Sequence, residues 1–88
     1  MRTVVIYKEE SDHAREVISF MRDYEMQTGY GLETIDPESR DGADFCRTYD
    51  IVEYPTIIVT TNEGIMQHMW RGRPLPMISE VRAYETYR

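Results

Sequence analysis

The apolar runs of this 88-residue chain predict an α/β fold: a four-stranded mixed sheet flanked by helices, in the order β-α-β-α-β-β-α. Three observations predict it. Residues 3–8 and 56–61 are short runs dense in β-branched and apolar residues, and they read as buried strands. Between them lie two stretches whose apolar residues recur every three to four positions. After the second run, Asn62-Glu63-Gly64 is a hairpin turn signal that returns the chain through residues 65–70.

Each element has a local reason. Glu9-Glu10-Ser11-Asp12 breaks the first strand, and Ser11 or Asp12 is expected to cap the following helix by accepting a hydrogen bond from a free backbone N–H. Ala14, Val17, Ile18, Met21 and Tyr24 form its apolar stripe, and Gly29 is its expected C-cap. Residues 32–35, Leu-Glu-Thr-Ile, alternate as a second short strand. Asp36-Pro37 signals the start of the second helix. Its apolar face is Ala43, Cys46 and Tyr49, with Phe45 beside them, and Gly42 weakens its beginning by up to about 1 kcal/mol relative to Ala. Gly72-Arg73-Pro74 breaks the chain after the hairpin. The last helix carries Leu75, Ile78, Val81 and Tyr84 at helical spacing, with Pro76 near its start. The first β-α-β unit is expected to be parallel with a right-handed crossover. The whole chain, 1–88, reads as one domain.

Composition excludes several function classes. A net charge of −6, from 16 acidic and 10 basic residues, disfavours broad binding to nucleic acid or anionic lipid. No apolar stretch approaches the ~18 residues needed to span a bilayer. Met1-Arg2-Thr3-Val4 enters a strand pattern at once rather than a secretory signal, so a cytoplasmic location is expected. Cys46 is the one cysteine, which rules out an intramolecular disulfide. His13 and His68 are the only histidines, so no metal site and no cofactor is expected.

The segment Tyr49-Asp50-Ile51-Val52-Glu53-Tyr54-Pro55-Thr56 resembles the Tyr-x-Ile-x-x-x-Pro-Thr pattern of the thioredoxin family. Gly64 in the hairpin and Gly72 after the last strand complete the likeness, with a hairpin one residue longer than is typical. The first strand leading directly into a loop and helix is closer to glutaredoxin. The resemblance covers almost the whole chain and implies a minimal thioredoxin fold in which Pro55 is cis. It also locates a departure. The family carries Cys-x-x-Cys between the first strand and first helix, where a helix N-terminus lowers the pKa of the first thiol. Here Ser11, Asp12, His13 and Ala14 occupy that position, with Ser11 and Ala14 at the spacing of the two thiols. A hydroxyl is too weak an acid to replace a thiolate, and Glu9, Glu10 and Asp12 oppose an anion there.

Each candidate has a structural and a functional reading. Ser11, Asp12 and His13 are adjacent, so they cannot form a hydrolytic relay, and helix capping with solvent exposure explains them. Cys46 lies in an apolar stripe, which suits core packing and raises a thiol pKa; the competing reading is a monothiol nucleophile. The resemblance implies that Tyr54, Pro55 and Thr56 flank a groove that pairs with an extended peptide. It also sets Arg71, Gly72 and Arg73 near where glutathione-binding relatives hold their ligand, which points to an acidic group. Tyr7, Tyr30 and Trp70 are further candidates for lining the groove. Met66, Met69 and Trp70 on an expected edge strand are candidates for a partner or dimer contact.

The leading expectation is a redox-inactive, thioredoxin-like binding module, a monomer or weak homodimer, that engages a peptide or protein partner and neither nucleic acid nor membrane. Two alternatives stand beside it: an atypical thiol-disulfide oxidoreductase using Cys46, and a structural or oligomerising protein.

Overall fold

The computed structural model describes residues 1–85; the last positions of the expected domain, 86–88, lie outside the described residues. Its elements are β1 (Arg2–Ile6), α1 (Ala14–Thr28), β2 (Glu33–Ile35), α2 (Arg40–Thr48), β3 (Thr56–Thr60), β4 (Met66–Arg71) and α3 (Ile78–Glu85). The order is the one the apolar pattern predicts. The strands form one mixed sheet, β2-β1-β3-β4, with β1 and β2 parallel and the other pairs antiparallel.

The two central strands are apolar on both faces because both faces are covered. On one face Val4 and Ile6 of β1 and Ile58 of β3 pack with Cys46 of α2 and Ile51. On the other, Val5, Tyr7 and Ile57 pack with Ala14 and Val17 of α1. Residues of β3 are all buried, whereas the edge strand β4 is at most half-buried. Opposite β3, the ladder steps from Val59↔His68 to Thr60↔Met66, leaving Gln67 as the extra residue of a bulge. Tyr84 of α3 stacks on His68 at 5.3 Å and meets Trp70 edge-on at 5.6 Å, which fastens α3 to β4.

Several local expectations are corrected. Ile18 is 51% exposed; the buried stripe of α1 is Ala14, Val17 and Tyr24, with Phe20 and Met21 half-buried beside it. The second helix does not start at Asp36-Pro37. Asp36 Oδ1 accepts from the Glu38 N–H at 2.9 Å and its carbonyl accepts from the Ser39 N–H at 3.1 Å, which makes a turn. Ser39 is then the N-cap of α2, its Oγ accepting from the Gly42 N–H at 2.9 Å. Leu75 packs against the core before α3 begins, so it is not part of that helix.

Candidate functional site

The connections after β1 and β2 leave toward opposite faces of the sheet, to α1 and α2 respectively. In open α/β sheets such a divergence opens a crevice beyond the carboxyl ends of the strands. Here it is a cavity of about 240 Å³ lined by Lys8, Glu9, Glu10, Asp36 and Glu38.

The loop after β1 is tied to its own first residues. Ser11 Oγ donates to the Lys8 carbonyl at 2.5 Å, and the Lys8 N–H donates to His13 Nε2 at 3.3 Å. Neither Ser11 nor Asp12 caps α1, contrary to expectation. The Ala14 N–H bonds the Ser11 carbonyl at 3.4 Å in a turn, which sets Ser11 two residues ahead of the actual N-cap, His13. His13 makes no side-chain capping bond, and it is buried rather than solvated, at 6% exposure. Ala14 is buried as the first residue of α1, and Ser11 is half-buried. Ser11 bonds the Lys8 carbonyl, His13 the Lys8 N–H and Asp12 the Arg73 guanidinium, so no hydrogen bond links the three side chains as a relay.

Asp12 turns across the front of the molecule. Its carboxylate accepts from Arg73 at 3.0 Å, and Glu16 in the first turn of α1 lies 3.5 Å from the same guanidinium. The loop after β1 is thereby joined to the segment after β4. That segment is also held to the Pro55 loop, because the Gly72 N–H donates to the Pro55 carbonyl at 2.8 Å. Gly72 adopts φ +70, a left-handed conformation that side chains disfavour, and a Cβ there would lie 2.8 Å from Glu53 Oε2. The Tyr54–Pro55 and Arg73–Pro74 peptides are cis. Thr56 is buried, its Oγ1 donating to the Glu53 carbonyl at 2.6 Å.

Tyr54 is half-buried against the Cys46 cluster, with the Lys8 ammonium 5.3 Å above its ring. Burial pushes the Cys46 thiol above its ordinary range, and a hydrogen bond with Tyr54 offsets part of that rise. The Tyr54 hydroxyl is also raised, first by burial and then by the neighbouring Cys46.

Ser11, Asp12, His13, Ala14, Tyr54, Pro55, Thr56, Gly72 and Arg73 thus gather at one end of the sheet. Arg71 is exposed at the end of β4, opposite Thr56. The other aromatic candidates are not gathered there: Tyr7 is in the core, Tyr30 follows α1 at the opposite end, and Trp70 packs with His68 and Tyr84. The sequence reading missed Asp36 and Glu38 as walls of the same crevice. The signal available for them was the Asp-Pro dipeptide directly after the second strand. Among the described residues no group of three or more His, Cys, Asp or Glu could hold a metal ion, and no helix is long and apolar enough to cross a membrane.

No family model matches the chain, and no curated protein matches it in sequence. In three dimensions it is similar to thioredoxin 1 from the thermophilic eubacterium Thermosipho africanus TCF52B, with a TM-score of 0.68. The match covers 99% of this chain and 93% of that one at 17% identity. The fold is thioredoxin-like. At this identity the likeness shows the fold, and function rests on the chain's own residues.

Proposed function

We propose that this chain is a redox-inactive, thioredoxin-like module that binds a peptide or protein segment at the front formed by the β1–α1 loop, Tyr54, Pro55, Thr56 and Gly72. The observation that supports it is the chemistry of that loop. Ser11 and Ala14 stand at the spacing of a redox dithiol, Ser11 Oγ is spent on the Lys8 carbonyl, and Ala14 has no polar atom to offer. The sole thiol, Cys46, is buried on α2 and held above the ordinary thiol range by desolvation, which disfavours the nucleophilic thiolate. The reading requires no cofactor. It assigns the chain to the cytoplasm, as a monomer or weak homodimer, away from nucleic acid and membranes.

The test has two arms. Insulin reduction should stay at background, and activity at an ordinary oxidoreductase rate overturns the redox-inactive reading. Affinity capture from native lysate is run beside a Tyr54→Ala, Pro55→Ala double variant. The variant should lose the proteins that the wild type recovers, and identical recovery removes the groove from the proposal. One observation favours a second reading, an oxidoreductase using Cys46 alone: the Tyr54 hydrogen bond opposes the effect of burial on the thiol. Rapid alkylation of Cys46 in the native protein would select it. Exposed Ile65 and Met66 beside the edge strand favour a third, oligomerising reading, which a concentration-dependent molecular mass would select.

A further inference from the structure

We propose that the open edge of β4 takes an extended acidic segment of another protein, which adds to the sheet as a further strand with a carboxylate opposite Arg71 and an apolar side chain opposite Met69. This docking edge does not depend on the groove reading above.

Hydrogen-bond parity along the hairpin fixes which main-chain groups are open. The Gly72 N–H donates to the Pro55 carbonyl, so residues 55 and 72 form a hydrogen-bonded pair. Bonded and non-bonded pairs alternate along an antiparallel ladder. Ile57↔Trp70 and Val59↔His68 are therefore bonded pairs, and Thr56↔Arg71 and Ile58↔Met69 are not. The N–H and C=O groups of Met69 and Arg71 thus point away from β3, and β4 is the last strand on that side of the sheet. Such an edge is a template for one more strand. The bulge opposite Thr60 and the left-handed Gly72 bound it, so the docking segment is short.

The side chains specify the partner's chemistry. Met69 and Arg71 are two apart and share one face of β4, where Met69 packs half-buried against the core and Arg71 is exposed. Among the described residues Arg71 makes no ion pair, whereas Arg73 holds Asp12 and Glu16. Residues 64–79 contain no Asp or Glu, the longest acid-free run of a chain whose net charge is −6. At physiological salt charges are screened over about 8 Å, so the local surplus of cations outweighs distant carboxylates. An acid directly opposite Arg71 on an added strand makes a favourable cross-strand pair. A second copy fits less well, because β4 carries no acid to set against Arg71.

The test is an amide NMR titration with three peptides: capped Thr-Val-Thr-Glu-Thr-Val-Thr, its Lys-for-Glu counterpart, and the acidic peptide N-methylated at Glu and at the Val that follows it. The acidic peptide should shift the amides of Met69 and Arg71 and slow their hydrogen exchange, and the other two should not. Arg71→Gln should weaken the acidic peptide about threefold, the effect of one exposed charge contact. Arg22→Gln removes the same charge from the exposed side of α1 and should bind as the wild type does. Equal weakening in both variants overturns the proposal, because it reduces binding to bulk charge. Equal binding of the N-methylated peptide rules out strand addition, and equal binding of the Lys peptide rules out the acidic preference. Shifts at Tyr54 with none at Met69 place the peptide in the front groove and remove the edge while the groove stands. No shift anywhere removes the edge as well. A molecular mass that rises with concentration, with Met69 and Arg71 protected in the absence of peptide, assigns the edge to a second copy and overturns the acidic partner.

Discussion

The backbone N–H of Lys8 donates to Nε2 of His13 at 3.3 Å, so the loop that enters α1 closes back onto the residue that leaves β1. Ser11 takes the carbonyl of the same residue. Both main-chain polar groups of Lys8 are thus satisfied by side chains of its own loop rather than by the sheet. Of the exposed acids in this turn, Asp12 pairs with Arg73, while Glu9 and Glu10 line the crevice.

His13→Ala removes the acceptor for a part-buried N–H together with a buried ring. Leaving such a donor unpaired costs about 1–3 kcal/mol. The urea midpoint of His13→Ala should fall accordingly, with no change in the slope of the transition. Asp12→Ala, at a site whose side chain is 90% exposed, should stay within about 0.5 kcal/mol of wild type. A His13→Ala protein as stable as wild type would show that the Lys8 peptide finds another partner.

The Asp12–Arg73 pair connects segments 61 positions apart in sequence, yet its effect on stability should be small. Both side chains are substantially exposed, and solvent screens pairs of that kind to roughly 0.2–1 kcal/mol. A double-mutant cycle with Asp12→Asn and Arg73→Gln should return a coupling in that range. The coupling should shrink further on raising the salt to about 1 M, where the Debye length is near 3 Å. A larger, salt-resistant coupling would mean that the pair is desolvated by a neighbour.

Gly42→Ala separates local propensity from packing. In a helix interior the substitution stabilises by about 1 kcal/mol. At Gly42 an added Cβ would lie 1.8 Å from the Asp36 carbonyl oxygen and 2.6 Å from Ser39 Oγ. Backbone has to move, and the Ser39 cap moves with it. The variant should therefore be destabilised by about 2 kcal/mol, the range for overpacked sites, and calorimetry should show a lower Tm. A raised Tm would mean that the turn before α2 relaxes freely.

These residues show how far the chain was legible. Element order and strand direction follow from residues 3–8, from the stripe running from Ala14 to Tyr24, and from the hairpin at Asn62-Glu63-Gly64, because periodicity reports burial directly. Gly29 was readable as a C-cap for the same local reason: it needs φ +80 and accommodates it without a side chain. Ser11 and Asp36 resemble N-caps in sequence, but the distance to the first helical residue decides which residue caps, and His13 and Ser39 hold those positions. Asp12 and Glu16 meeting Arg73 has no local signal at all. It depends on a contact across 61 positions, made only after β4 has returned beside β3. The crevice was equally invisible, since Glu9 and Asp36 converge only when β1 and β2 lie parallel.

Cys46 gives a prediction in which the sign of the pH dependence is informative. Burial raises its thiol above the ordinary range, so the folded protein holds it protonated while the unfolded chain ionises near its usual pKa of about 8.5. Below that pH both states bind the proton and the group is neutral in its effect. Above it the unfolded state loses the proton first, so stability declines as pH rises until the folded value is passed. Tyr54 is raised as well and acts in the same direction, but at the higher pH where phenols ionise. Urea midpoints of the wild type should therefore fall between about pH 8 and pH 10 more steeply than those of Cys46→Ala. Alkylation of the native thiol should run far slower than in urea. Parallel pH profiles for the two proteins, or labelling as fast folded as unfolded, would place the thiol in water and reopen it as a nucleophile.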